Sequence, residues 1–360
     1  MSESSLTVSI IVPTKDRRAL LAETIASVRA QTYPNWALIV IDDRSTDGSA
    51  ELVRQIARED PRVKFLSLPE TKAGAPAARN LGVRESRGEF VIFLDSDDLL
   101  APHCLARRVE TINANPQLDF AVFPCQVFRD SPNDLQLLFN ADTGEDDLDR
   151  LLKVDVPWQT TSPIWRRAAL DKVGPWDEQA INGQDWEFHI RAMVANLKYE
   201  RFGPNPDCFW RRPSGERDSI GKASEIEAKY MRGRVDVIRK MCRLIRDRGL
   251  LTDARRQMFR VVYFKAALRL AERASRRDAR QAWSAARSDG VVGPRQFAQG
   301  WFYFFVFRWM PLRAFARARL EREWSVDYFA GPPPFLLRAP MPQAENSGAA
   351  PVETTAATTA

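Results

Sequence analysis

Three apolar runs, TVSIIVPT (7–14), WALIVIDD (36–43) and EFVIFLD (89–95), each end in polar or acidic residues. Between them lie segments with helical spacing: RALLAETIASVRAQ (18–31), with Leu20, Leu21, Ile25 and Val28 on one stripe, GSAELVRQIARED (48–60), where Asp47 is placed to cap, and APAARNLGVRES (75–86). VKFLSL (63–68) reads as a further strand. Strands that are apolar on both faces and alternate with helices predict an α/β layered domain around a mostly parallel, Rossmann-like sheet. In such a sheet, ligands sit beyond the carboxyl ends of the strands, so Pro13-Thr14, Asp42-Asp43 and Asp95–Asp98 are expected along one edge. No GxGxxG follows the first strand and no GxxxxGK[ST] occurs, which excludes a glycine-rich dinucleotide or P-loop site.

FLDSDDLL (93–100) crowds Asp95, Asp97 and Asp98 at a strand end. Two carboxylates about 4 Å apart repel by roughly 4 kcal/mol at an effective dielectric near 20, so the arrangement calls for a cation. A hard divalent ion such as Mg²⁺ or Mn²⁺, shared with a nucleoside diphosphate, meets that need. The other reading is a solvated turn whose aspartates cap the helix after LLAPH. For Asp42 and Asp43 the alternative to ligand binding is an Asx-type loop.

VSIIVPTKDR, WALIVIDDRSTDGS, GAPAARNLGV and GEFVIFLDSDDLL, in this order, resemble the nucleotide-binding half of the family 2 inverting glycosyltransferases of bacterial type. TTSPIWRRAALDKVGPWDE (160–178) and NGQDWEFHIR (182–191) are similar to that family's acceptor-side segment. The resemblance covers roughly residues 7–215 and implies the GT-A fold. It further implies roles: Pro13, Thr14 and Asp16 against the nucleotide base, Asp43 on the uracil N–H, Arg79 near base and phosphates, Asp95 with Ser96 at the ribose, Asp97 and Asp95 on the metal, and Asp98 as a structural partner. Asp185 matches the catalytic base, although an aspartate before WEFHIRAMV would equally serve as a helix N-cap. Two departures stand out. Gln184 precedes Asp185 where the family commonly has a glutamate, and Arg212 stands where a histidine is common. An arginine there can hold diphosphate oxygens but cannot ligate a metal. Trp158 and Trp186 are candidate acceptor-binding rings, and Trp176 in GPWDE is expected in the core. His103 is read as structural and His189 as part of a helix, neither with a role.

The net charge of +6 is unevenly spread: residues 226–330 hold 24 Lys/Arg against 10 Asp/Glu, leaving the rest of the chain net negative. The expected organisation is a catalytic domain over 1–225 (nucleotide half 7–130, acceptor half 131–225), a basic helical appendage over 226–330, and a disordered tail over 331–360. WFYFFVFRWMPLRAFARARL (301–320) mixes aromatic residues with arginines, as interfacial helices do, so the appendage either lies on an anionic membrane or is simply solvated. No run is long enough to span a bilayer. The start of the chain is unlike a signal peptide, and four scattered cysteines argue against a disulfide framework, so a cytoplasmic protein, peripheral on the inner face of the membrane, is expected. The implied partners are a nucleotide-sugar donor, uridine diphosphate-linked, and a glycan or lipid-linked acceptor; no nucleic acid is expected. The rival readings are a nucleotidyltransferase and a nucleic-acid-binding protein that uses the basic helices.

Overall fold

The computed structural model describes residues 7–140, 142–212 and 227–307. A seven-stranded sheet forms the centre. β1 (Val8–Thr14), β2 (Trp36–Asp42), β3 (Val63–Ser67) and β4 (Phe90–Phe93) alternate with α1 (Arg18–Arg29), α2 (Ser49–Glu59) and α3 (Gly74–Glu85). Every residue of β1 and β4 is buried, as expected for strands covered on both faces. β5 (Leu99–Leu100) and α4 (Cys104–Ala114) follow, then β6 (Phe120–Val122), β7 (Cys125–Phe128), β8 (Leu137–Leu138) and α5 (Asp147–Leu152). The chain continues through β9 (Pro163–Arg166), α6 (Arg167–Val173), α7 (Gln184–Val194), β10 (Tyr199–Arg201) and β11 (Cys208–Arg211).

The strand order is β10-β6-β9-β4-β1-β2-β3. β4, β1, β2 and β3 run parallel to one another, β10 runs parallel to β6, and β9 is antiparallel to both β4 and β6. The expected mostly parallel sheet is therefore present, with one reversed strand. Pairing of Thr14 with Asp42 and of Ile11 with Phe93 brings the polar ends of β1, β2 and β4 to the same edge. At the back of the sheet α3 approaches closely: a Cβ on Gly82 would lie 2.4 Å from Ile11 Cγ2, so only glycine admits this contact. A second sheet, β5-β11-β7-β8, sits beside the Asp95–Asp98 turn.

Four helices complete the described chain: α8 (Ala228–Asp247), α9 (Asp253–Arg273), α10 (Arg276–Ser288) and α11 (Pro294–Phe307). They do not hang free as an appendage. Their apolar faces share one core with α5 and α7, in which Leu151, Trp186 and Ile190 pack with Met231, Ile238, Phe259 and Trp283. Most of their arginines and lysines are exposed to solvent. Trp301 lies under the Arg280 guanidinium at 5.0 Å, and Phe302 is 71% exposed. Residues 308–320 of the aromatic and basic segment, and the whole of 331–360, lie outside the described residues. Among the described residues, no helix is long and apolar enough to cross a membrane.

Candidate active site

The loops after β1 and β2 are tied to each other. Asp16 takes a left-handed conformation (φ 47°), and its carboxylate accepts from Thr46 N at 2.6 Å while its own N–H donates to Ser45 Oγ at 2.9 Å. Asp47, expected to cap α2, stands one residue before its Gly48 N-cap. It accepts from Ser49 N and also from Arg18 N at 2.7 Å, so one carboxylate serves the starts of two helices. Burial would raise its pKa, but these bonds hold it below the usual carboxylate range. Asp43 is 6% exposed; it accepts from Gly74 N at 2.8 Å and pairs with Arg44 at 2.5 Å. Arg44 is itself left-handed (φ 56°). Two non-glycine residues strained at one strand edge are typical of a functional site. Pro13 lies within buried β1.

Asp95 and Asp97 do have cations beside them, and both are arginines. Arg79 Nη2 lies 2.7 Å from Asp95 Oδ1, and Arg17 Nη1 lies 2.5 Å from Asp97 Oδ2. Burial and the neighbouring Asp95 still raise the pKa of Asp97, against the pull of Arg17. Asp98 is 1% exposed, with its pKa pushed well up by burial and then by Asp97 and Asp95. It accepts from Thr161 Oγ1 (3.1 Å) and Arg211 N (3.0 Å), so it fastens the turn to its surroundings, and Ser96 is buried within that turn. Behind it, Arg108 donates to Thr161 O and forms a fully buried pair with Asp207 at 2.6 Å. None of the three aspartates caps α4, whose N-cap is His103.

Across the crevice α7 begins at Gln184, with Gly183 as N-cap in a left-handed conformation (φ 75°). Asp185 is thus inside the first turn and is not the cap, which leaves its carboxylate available. Arg79 spans the crevice: it donates to Asp95 and, at 3.3 Å, to Gln184 Oε1, with its guanidinium 4.4 Å from the Trp176 ring centroid. His189, one turn on, is buried and its pKa falls to about 4, chiefly through burial and also through Arg79, with Asp185 opposing.

Trp158 and Trp186 require correction as acceptor platforms. They are 2% and 1% exposed, leaving neither ring a face for a sugar. Trp158 lies among Phe120, Tyr199 and His189; Trp186 Nε1 donates to Leu151 O and its ring faces α8. Trp176, by contrast, is in the core as expected, stacked on Phe188. Arg212 N donates to Phe128 O, which sets the residue one position beyond the Arg211 that binds the Asp97–Asp98 turn. Arg17 was missed by the sequence reading, although it had a signal, a basic run directly after a strand opposite an acidic turn.

Three polar atoms at this edge, Thr14 Oγ1, Asp42 Oδ1 and Arg79 Nε, are buried with no hydrogen-bond partner among the described residues. Buried polar groups are nearly always paired, so these mark a place for a polar ligand. Among the described residues there is no cluster of three or more His, Cys, Asp or Glu suited to a metal. Two carboxylates, each with one oxygen on an arginine and one without a side-chain partner among the described residues, nonetheless fit an ion of the Mg²⁺ kind that takes its remaining ligands from phosphate and water.

Residues 9–174 match the family model described as "Glycosyl transferase family 2". An uncharacterized glycosyltransferase of Haemophilus influenzae is 40% identical over 108 residues, 30% of this chain and 43% of that protein. The GalNAc(5)-diNAcBac-PP-undecaprenol beta-1,3-glucosyltransferase of Campylobacter jejuni is 35% identical over 105 residues, 29% of this chain and 34% of that one. The chain therefore spans less than half the length of either relative. The crystal structure of S. aureus TarS 1-349 with UDP-GlcNAc has a TM-score of 0.61 at 20% identity and covers 89% of each chain, a likeness of fold.

Proposed function

For a chain whose residues 9–174 belong to glycosyl transferase family 2, with the GT-A fold, we propose inverting transfer of a sugar from a uridine diphosphate donor to an acceptor hydroxyl. The acceptor belongs to a surface polysaccharide or glycolipid under construction at the cytoplasmic side of the membrane. The observation that carries this reading is the Arg79 bridge, which links Asp95 on the donor side to Gln184 beside Asp185, near Thr14 Oγ1 and Asp42 Oδ1, both buried and unpaired among the described residues.

Asp43, Thr14 and Asp16 line the base end of the crevice, and Asp95 with Ser96 the ribose. An ionised Asp43 can only accept, which suits a uracil N–H. Arg79 and Arg212 supply guanidinium groups for the diphosphate. Asp97 and Asp95 would hold a divalent cation, which would supply charge neutralisation for the departing diphosphate. Asp185 removes the proton from the acceptor hydroxyl as its oxygen attacks the anomeric carbon opposite the leaving group, which inverts that centre. The half-buried position of Asp185 at the start of α7, free of capping duty, supports this role. A lipid-linked acceptor accords with the undecaprenol named for the C. jejuni relative, and the basic helices with exposed Phe302 accord with peripheral docking on an anionic bilayer.

Asp185→Asn tests the assignment. It should leave uridine diphosphate binding intact and lower sugar transfer, or the slower hydrolysis of the donor, by about 10²–10⁴-fold. Turnover equal to wild type would remove Asp185 from the mechanism.

A further inference from the structure

Arg17 is set into its loop from both sides. Asp16 before it donates its N–H to Ser45 Oγ and accepts from Thr46 N, and Arg18 after it donates its N–H to Asp47 Oδ2 at 2.7 Å. The Arg17 carbonyl accepts from Leu21 N at 2.9 Å, a bond of the first turn of α1. With its backbone held in this way, the side chain reaches across to the turn after β4, where Nη1 lies 2.5 Å from Asp97 Oδ2. Among the described residues Asp97 is the only hydrogen-bond partner of that guanidinium. The Arg17 side chain is 29% exposed, so water competes for it.

The arginine on Asp95 is held differently. Arg79 is 6% exposed, donates to Gln184 as well, and lies against Trp176. One arginine is thus fixed by several contacts, while the other hangs on a single carboxylate and can leave it. A divalent cation on Asp97 would share that carboxylate with Arg17, and two like charges on one small anion each raise the cost of the other. A diphosphate removes the conflict, because its oxygens accept a guanidinium fork and also complete the shell of an ion of the Mg²⁺ kind. The other role open to Arg17 is to steady Asp97 through Oδ2 for a cation on Oδ1. That role makes the opposite prediction, since removing Arg17 would then weaken cation binding.

We propose that Arg17 and a divalent cation compete for the Asp97 carboxylate, and that a donor diphosphate ends the competition by drawing Arg17 onto its own oxygens. The proposal rests on the reading of Asp97 as a cation ligand given above. Arg17 then makes cation binding conditional on the diphosphate, and selects a nucleoside diphosphate together with its metal ion over the metal ion alone. The change needs only rotation of the Arg17 side chain about a backbone that the bonds of Asp16 and Asp47 keep still.

The test measures Mn²⁺ binding to the full chain by electron paramagnetic resonance, with and without uridine diphosphate, after correction for Mn²⁺ held by free nucleotide. Arg17→Gln should bind Mn²⁺ alone about tenfold more tightly than wild type. Added uridine diphosphate should then raise its Mn²⁺ affinity by a factor at least about tenfold smaller than in wild type. By linkage the same factor governs the effect of Mn²⁺ on uridine diphosphate affinity, so calorimetry checks it independently. Arg17→Lys, which keeps the charge and loses the planar fork, should fall between the two. A side chain this exposed can be exchanged without loss of the fold, which cooperative thermal unfolding of both variants should show. Mn²⁺ affinity in Arg17→Gln equal to or weaker than wild type would overturn the proposal, and the weaker case would assign Arg17 the steadying role. An unchanged response to uridine diphosphate would overturn it as well. If neither protein bound Mn²⁺ with or without the nucleotide, the reading of Asp97 as a cation ligand would fail and the proposal with it. Mn²⁺ bound by wild type and no more tightly by Arg17→Gln would sink the proposal alone.

Discussion

Arg79 and Asp95 should respond unequally to truncation. Their 2.7 Å contact is shared, but the Arg79 side chain is 6% exposed and that of Asp95 29% exposed. Asp95→Ala strands a buried guanidinium, whose remaining contacts are a 3.3 Å bond to Gln184 and the face of Trp176. Complete loss of a buried partner costs about 3–5 kcal/mol, and the two surviving contacts bring the expected destabilisation to about 3 kcal/mol. Arg79→Met leaves a carboxylate that water can reach, and the methionine keeps a favourable contact with Trp176. Its expected cost is about 1–2 kcal/mol, made up of one charge-assisted bond and the cation–π contact. Urea unfolding of both single variants and the double variant gives the ranking, with a coupling of about 1–2 kcal/mol between the sites. If Arg79→Met were the more damaging change, or the coupling were near zero, the bridge would not exist in solution.

Two further outcomes follow from α7 and the loop before it. The pKa of His189 is 6.5 when unperturbed and about 4 in the fold, so its contribution is fully present above pH 6.5 and is lost as pH falls through 4. Wild type should lose about 3 kcal/mol over that window, and His189→Phe should remove most of the slope in thermal unfolding measured from pH 7 to 4; parallel profiles would contradict this. Gly183→Ala must hold φ near 75° with a Cβ 2.2 Å from Arg234 Nη1. It should cost about 1–3 kcal/mol and lower turnover more than tenfold with uridine diphosphate affinity unchanged, because the strain falls beside Asp185; normal turnover would show the loop has slack.

The polar strand edge was legible because its signals are local. β1, β2 and β4 are apolar on both faces and end in Thr14, Asp42-Asp43 and Asp95, so parallel pairing alone brings those residues together. β9 was not legible: PIWR is short, and its reversed pairing with β4 and β6 joins segments more than 40 residues apart, a contact with no local pattern. The misreading of Trp186 has a helical cause. Successive residues on a helix point about 100° apart, so Asp185 can face the crevice while Trp186 turns into the core against α8. Asp185 escapes the N-cap because Gly183 starts the helix, and glycine accepts the positive φ that position requires. The Arg17–Asp97 pair spans 80 residues, so only the fold places that arginine on that aspartate. The basic C-terminal segment read correctly as helices, yet its charge drew attention from the apolar stripes that seat it on α5 and α7.

Calorimetric titration of uridine diphosphate, with Mg²⁺, with Mn²⁺ and with chelator, into wild type and Asp97→Asn bears most directly on the donor site. Cation-dependent binding that weakens at least about tenfold in Asp97→Asn is the expected result. No binding under any of these conditions, or binding that neither chelator nor Asp97→Asn alters, would contradict a metal-assisted uridine diphosphate site at this strand edge.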